Sequence, residues 1–343
     1  MLVLHLLGEA RAGGNGIVRM VTDLANAQLD LGYDVTLVGN NATDNARLSA
    51  GVTAINWPVP CRFGLDRRNR EVIRRQIEGR QSAVLHSHHL GPAVVARLAK
   101  ATKTHVFTIH NRVRMRELLG SIIAARTVAV SKQIARSPLL VVVRRKVLTV
   151  LNGAYVMPAC CTSGANDDCV RFLSIGGLTR RKGMDLLVGG AIRAIHDGAH
   201  IELDVVGTGP LEKELATMCT ASQVSHRIRL HGYRENPFVI GSDVFVLSSR
   251  FDPCPMALIE AALLGLPVVC PPHGGMAEVA SHARSAVWIE ELSEVGVARA
   301  LGHAAVIARK GAWNPERTKF LSAERMALDY DRVYRMSRRM GIW

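Results

Sequence analysis

The residues best placed to do chemistry lie between Ser248 and Val279, where the chain reads SSRFDPCPMALIEAALLGLPVVCPPHGGMAEV. The apolar run Asp243-Val244-Phe245-Val246-Leu247 just before it has the length and composition of a buried strand. A loop with Pro253 and Pro255 follows, then helix formers from Met256 to Leu264 with no breaker until Gly265. Proline lacks the N–H that a first helical residue would leave unpaired, so Pro255 suits the first position of this helix. The N–H groups of Met256, Ala257 and Leu258 then point out of a helix N-terminus at the carboxyl end of a strand, where open α/β sheets bind anions. Asp252 precedes the helix and Glu260 lies inside it, with seven residues between them. A mouth that attracts phosphate, flanked by acids that accept hydrogen bonds from hydroxyls, suits a nucleotide sugar. Spacing alone leaves a plainer alternative open, with Asp252 a helix-flanking acid and Glu260 a solvated helix residue.

Other segments carry weaker signals. Gly13-Gly14-Asn15-Gly16 sits between an apolar run, Leu2 to Leu7, and an amphipathic run, Ile17 to Leu31. Glycines there let backbone N–H groups approach a phosphate, although no G-x-G-x-x-G register fits and a tight turn is the bland reading. The cluster His86-Ser87-His88-His89 invites a metal, but no Asp, Glu or Cys stands close by in sequence to complete a site, so none is expected. His110-Asn111 closes the apolar run Val106 to Ile109. Cys254 has no evident base partner and is not read as a nucleophile.

Taken in order, these segments resemble the motifs of retaining glycosyltransferases of family 4, which have the GT-B fold. Asp252 and Glu260 match the E-x7-E region, with Asp252 in place of the first Glu. The resemblance implies that the first acid contacts the donor sugar, the second binds the ribose hydroxyls, and the helix N-terminus holds the diphosphate. Gly13 and Gly14 resemble the glycine loop that reaches toward that diphosphate. His86, His88 and His89 resemble the H-x-H that lines the acceptor side. His110 and Asn111 resemble the strand-end histidine and small polar residue near the reaction centre, where a neutral imidazole orients a hydroxyl or moves a proton. Thr127 to Ser131, Asn152-Gly153, the "GxGP" turn Gly207 to Pro210, Pro267-Val268-Val269 and Gly274 to Glu278 match further signatures. Lys182 matches the lysine that neutralises the diphosphate, whereas Gly177 stands where the family carries an arginine; Arg180 or Arg181 is then expected to reach the same oxygens. Tyr233 and Arg234 fall where relatives pass the nucleotide base.

These residues need two α/β frameworks to hold them. Short apolar runs alternate with amphipathic ones from Leu2 onward, the pattern of parallel sheets with crossover helices. The same alternation restarts at Arg171 to Ile175. The expected architecture is therefore GT-B: two Rossmann-like domains with parallel sheets facing an interdomain cleft. Residues 1–156 form the acceptor-side domain, 157–315 the nucleotide-sugar domain, and 316–343 a helical segment crossing back to the first domain. Pro158 to Asp168, short of large apolar residues, reads as the linker.

Composition narrows the remaining classes. The 343 residues suffice for two ordinary domains, and 48% hydrophobic with 21% charged residues describes a folded soluble protein. No apolar run is long enough to span a bilayer. Seven cysteines without framework or metal spacing fit a reducing cytoplasmic compartment. A net charge of +14 calls for an anionic partner. Seven arginines gather between Arg62 and Arg80, and Arg112, Arg114 and Arg116 follow His110. We assign this excess to an anionic or lipid-linked acceptor, or to an anionic membrane surface under a peripheral protein. Aromatic residues, at 5%, are too few for base-stacking platforms, and nucleic acid is not expected. The reading is a sugar transferase using a nucleotide diphosphate donor, with no cofactor and no metal. An epimerase of the same fold and a donor-binding relative with impaired catalysis are the alternatives.

Overall fold

A computed structural model describes residues 1–8, 16–62, 64–80, 82–99, 104–155, 169–283, 285–309 and 318–339, with backbone only for 338 and 339. The chain forms two units: unit 1 is Met1–Ala154 with Ser322–Trp343, and unit 2 is Tyr155–Leu321. Sequence reading set the divisions after residues 156 and 315. The linker it placed at 158–168 lies outside the described residues.

Unit 1 begins with β1 (Leu2–Leu6), α1 (Gly16–Asp30), β2 (Asp34–Gly39), β3 (Thr53–Asn56), α2 (Arg67–Ile77) and β4 (Ala83–Ser87). It continues with α3 (Leu90–Leu98), β5 (His105–Ile109), α4 (Met115–Ile123), β6 (Arg126–Ala129), α5 (Lys132–Ala135) and β7 (Val147–Thr149). Its seven strands are all parallel, in the order β3-β2-β1-β4-β5-β6-β7. Parallel strands need crossovers that cover both faces, so they read as continuous apolar runs rather than alternating ones. Every residue of β1, LVLHL, is buried, and His5 is its one polar member.

Unit 2 holds β8 (Val170–Ile175), α6 (Met184–His196), β9 (Ile201–Val206), α7 (Glu212–Ala221), β10 (Ile228–Leu230) and β11 (Val244–Val246). After these come α8 (Met256–Leu263), β12 (Val268–Cys270), α9 (Gly274–Ala280), β13 (Ala286–Trp288) and α10 (Glu294–Arg309). Six parallel strands run in the order β10-β9-β8-β11-β12-β13. Phe172, Leu187, Leu203, Val246 and Leu301 are among the core residues that join the sheet to α6 and α10.

The chain then returns to unit 1 as α11 (Ala323–Arg339). Ala154 and Ser322 form a parallel bridge, Ala323 N donates to Ala154 O at 3.0 Å, and Arg325 donates to the Leu151 and Asn152 carbonyls at 2.9 Å each. Helix α11 packs on α1 and β5, burying Tyr330 and Tyr334. Along it Arg332 pairs with Asp329 and Arg335 with Asp331.

Both sheets reverse their strand order once, between β1 and β4 and between β8 and β11. At such a switch point the crossover helices depart to opposite faces and leave a crevice beyond the carboxyl ends of the two strands, the usual ligand site of open α/β sheets.

Candidate active site

At the unit 2 switch point, β8 leads through Gly176-Gly177 into a 3-10 turn, Arg180–Lys182, and β11 leads into the loop before α8. The Thr179 hydroxyl accepts from Lys182 N–H at 3.3 Å, and Ser248 Oγ donates to the Gly183 carbonyl at 2.8 Å, fixing one loop against the other. Lys182 Nζ reaches across to the Asp252 carboxylate, with side-chain exposures of 19% and 8%. Two residues that sequence reading gave separate tasks on the donor are thus an ion pair 70 positions apart in the chain. A pair this sheltered keeps the ammonium fixed in direction where an anion could share it.

Helix α8 starts one residue later than expected. Pro255 is its cap, with φ −72° and ψ 117°, rather than its first residue. Its carbonyl accepts from Ile259 N–H at 3.1 Å, so the N–H groups of Met256, Ala257 and Leu258 precede the first intrahelical bond. Glu260 is only 2% exposed and so is no solvated helix residue. Its carboxylate lies on the first turns of a helix that begins at the switch point.

Around this centre the other predicted donor residues divide. Gly207 has φ +144°, and a Cβ there would lie 2.0 Å from the Gly176 carbonyl, so glycine lets the loops after β8 and β9 touch. Its N–H donates to the Gly232 carbonyl at 2.8 Å, next to Tyr233, which is 54% exposed, and to the exposed Arg234. Arg181 is exposed and donates to the Phe251 carbonyl at 3.2 Å. Arg180 is committed elsewhere, to Asp185 at 3.1 Å and Glu214 at 2.8 Å, and Asp185 also anchors Arg250 through two 2.8 Å bonds. Neither arginine sits as a bare replacement for the residue missing at Gly177, where an added Cβ would meet nothing nearer than the Thr208 carbonyl oxygen at 3.8 Å. Gly274-Gly275 is the first turn of α9 and not an independent turn. Gly13 and Gly14 lie outside the described residues.

In unit 1 the histidines gather at the β1/β4 switch point, and more deeply than predicted. Parallel register places His5 beside His86. His86 is 0% and His88 3% exposed, so these two do not line a surface, a correction to their expected acceptor-side placement. His86 Nδ1 lies 2.8 Å from the Tyr334 hydroxyl and its Nε2 2.7 Å from Thr108 Oγ1. His88 joins His5 at 3.1 Å and His110 at 2.9 Å. His5, His86 and His88 are the one group among the described residues whose ligand atoms lie within 4.8 Å of one another, as a metal would require. Every ring nitrogen of the three is already engaged, and among the described residues no carboxylate bonds to them, so the cluster is built as a network of neutral rings. Burial drives this neutrality, lowering His5 to about 4 and holding His86 and His88 well below their ordinary range. His89 accepts from Gly8 N–H at 3.1 Å. His110 follows β5, part-exposed and next to exposed Asn111, with its pKa lowered to about 3 by burial and then by the charge of His89.

Two family models match the chain, one described as Glycosyltransferase Family 4 over residues 14–158 and one as Glycosyl transferases group 1 over residues 169–305. The chain belongs to glycosyltransferase family 4. Among curated relatives, the amylovoran biosynthesis glycosyltransferase AmsK of Erwinia amylovora is 30% identical over 150 residues, covering 41% of this chain and 35% of that protein. Matches to the first curated relatives span about a third of those proteins' own length, 33% and 35%. Solved structures match over nearly the whole chain. The catalytic domain of starch synthase IV from Arabidopsis thaliana, bound to ADP and acarbose, has a TM-score of 0.73 at 15% identity, covering 98% of this chain and 99% of that one. HepE of Anabaena in complex with UDP has a TM-score of 0.69 at 15% identity, covering 98% and 100%. At such identities the likeness carries the fold, and this family 4 chain has the two-domain GT-B fold.

Sequence reasoning missed the inner partners of the family 4 chain's histidines. His5 is a lone polar residue in a strand, Gln28 lies on a helix read as amphipathic, and Tyr330 and Tyr334 lie on one read only as a helical return to the first domain. One signal was available: if the first and fourth strands of unit 1 pair in parallel, His5 and His86 fall in register.

Proposed function

We propose that this chain transfers a sugar from a nucleoside-diphosphate sugar to an acceptor hydroxyl, with retention at the anomeric carbon. The observation that carries this reading is the convergence of Lys182, Asp252, Glu260 and the α8 N-terminus on the switch point of unit 2. Lys182 and the backbone N–H groups of Met256, Ala257 and Leu258 take the charge that develops on the leaving diphosphate, a task that needs no metal. Asp252 orients Lys182 and meets sugar hydroxyls, while Glu260 accepts from the ribose. Unit 1 supplies the acceptor side, with His110, Asn111 and His89 at its ligand end. In a front-face displacement the leaving phosphate oxygen takes the acceptor proton, so no protein nucleophile is required. The UDP and UDP-glucose named for HepE support a donor of this class, and family membership favours transfer over epimerisation.

Thermal unfolding with uridine, guanosine and adenosine diphosphates and their sugars tests the donor site. One nucleotide series should raise Tm in a concentration-dependent way, corresponding to about 2.7 kcal/mol at a hundredfold excess over Kd. A flat response to all of them sinks the reading. Turnover that consumes the activated sugar without any acceptor would point to the epimerase chemistry instead.

We propose also that unit 1 rests on an anionic bilayer, through a surface other than the arginine-rich α2. Met115, Leu119 and Ile122 of α4 and Leu139, Val141 and Val142 of the adjoining 3-10 segment Pro138–Lys146 are exposed, the last two at 66% and 71%. Arg112, Arg114, Arg144 and Arg145 stand exposed on the same two segments or beside them. Apolar side chains with basic neighbours suit an interface of acyl chains under anionic headgroups, each basic residue contributing about 1 kcal/mol. Among the described residues no helix is long and apolar enough to cross a membrane. Co-sedimentation with phosphatidylglycerol vesicles should be strong, salt-sensitive and lost in a Val141→Asp/Val142→Asp variant. Equal binding to neutral phosphatidylcholine vesicles, or none to either, would remove the proposal.

A further inference from the structure

His110 has one ring nitrogen turned into unit 1 and one that no hydrogen bond reaches among the described residues. The inward nitrogen, Nε2, is the end of a chain. It lies 2.9 Å from His88 Nδ1; His88 Nε2 lies 3.1 Å from His5 Nδ1; and His5 Nε2 lies 2.7 Å from Gln28 Oε1. The other side of the Gln28 amide is also fixed, its Nε2 donating to the Tyr334 hydroxyl at 3.0 Å. Tyr334 in turn meets His86 at 2.8 Å, and His86 meets Thr108, which meets the Tyr330 hydroxyl at 3.1 Å.

A neutral imidazole has one N–H and one lone pair, so a chain of such rings transmits a choice made at one end. Gln28 presents an oxygen to His5, and an amide oxygen only accepts. His5 Nε2 must then carry the hydrogen and His5 Nδ1 the lone pair. That lone pair requires His88 to donate from Nε2, which leaves His88 Nδ1 bare, and His110 must donate to it from its own Nε2. The nitrogen left over, Nδ1 of His110, is a bare lone pair on the part-exposed end of β5.

We propose that Gln28, acting through His5 and His88, sets the tautomer of His110 so that Nδ1 is a hydrogen-bond acceptor for a hydroxyl-bearing ligand. These three are positioning residues. An amide at the inner end can impose direction yet cannot take up a proton, so the chain orients His110 without draining charge from it. A carboxylate there would do both. Among the described residues no carboxylate bonds to any of the four rings; the phenols Tyr334 and Tyr330 join the network through His86 and Thr108, and Asp331 is occupied by Tyr33 and Arg335. The hydroxyl rests on the reading of function above, whereas the tautomer does not.

The test is ring-nitrogen NMR of the intact protein labelled with ¹⁵N-histidine, with His110 assigned from a His110→Gln variant. At neutral pH the spectrum should show hydrogen on Nε2 of His110 and a bare Nδ1. Gln28→Leu removes the accepting oxygen and should give His110 a mixture of tautomers. In that variant kcat should fall roughly tenfold with the donor KM unchanged. Gln28→Glu restores an acceptor and should restore the single tautomer. Hydrogen on Nδ1 in the unaltered protein overturns the proposal without any variant, and so does a Gln28→Leu spectrum identical to the starting one. Should Gln28→Leu fail to fold, the unaltered spectrum still decides. Should no transfer activity be found, the spectrum stands and only the hydroxyl is lost.

Discussion

Replacing Lys182 by alanine is expected to lower kcat/KM for the activated sugar roughly 100- to 1,000-fold, the range seen when one preorganised donor to a developing anion is removed. The chain should stay folded, because Lys182 keeps 19% of its side chain exposed and belongs to no core cluster. The ion pair makes the experiment more informative than a simple deletion. If Lys182 serves only to steady Asp252, then Asp252→Asn removes the same interaction, and the double variant is no worse than either single one. If Lys182 shares itself between Asp252 and a diphosphate, the two substitutions separate. Lys182→Ala should then weaken the bare nucleoside diphosphate at least tenfold in calorimetry. Asp252→Asn should leave that affinity within a few-fold and lose the contribution of the sugar. Near-normal rates in Lys182→Ala would show that the site has been misplaced.

Gly275→Ala should be the most damaging conservative change in unit 2. A Cβ at Gly275 would fall 1.5 Å from the Pro253 carbonyl oxygen and 2.2 Å from its carbon. Both atoms belong to backbone, so no side-chain rotation relieves the overlap. The loop from Asp252 to Pro255 must shift, and its two prolines leave few ways to do so. We expect a loss of about 3 kcal/mol or more, beyond the usual cost of overpacking, together with reduced turnover in the molecules that remain folded. Gly302→Ala is the matched control. It lies inside α10 with nothing within 4 Å of the added carbon, and should be neutral or gain about 0.5–1 kcal/mol. Urea unfolding of both variants with an activity assay checks this. A Gly275→Ala protein of ordinary stability and rate would mean that the α8 and α9 mouths are not packed as described.

Much of the framework could be read from the chain because the relevant physics is local. Continuous apolar runs give buried parallel strands, and the breaks after Ile175 and Leu247 mark where loops must emerge. Lys182 and Asp252 could be picked out from the chain because each lies in the loop that leaves a strand, and Glu260 because it follows Asp252 on the next helix. What escaped was set by pairing across long separations. Lys182 meets Asp252 only because β8 and β11 are neighbours in the sheet. His86 and His88 looked available because they close an apolar strand, but Tyr330 and Tyr334, more than 220 positions further on, cover that face. Gly274 to Glu278 was legible only as a family signature; that Gly275 opens α9 against the Pro253 carbonyl is a tertiary contact no local pattern shows.

The bridge between Ala154 and Ser322 makes unit 1 a discontinuous body, interrupted by the whole of unit 2. During synthesis the ribosome delivers β1, β4 and β5 well before α11, so the histidine-bearing side of the first sheet waits, wet and titratable, while the second unit can already mature as one uninterrupted segment. Docking of α11 is then the event that dries those rings. Wet histidines protonate near their ordinary pKa of 6.5, whereas His86, once Tyr330 and Tyr334 lie against its ring, is held well below that by burial, so in mildly acidic solution the last stage of assembly sheds a proton and is opposed progressively as acidity rises.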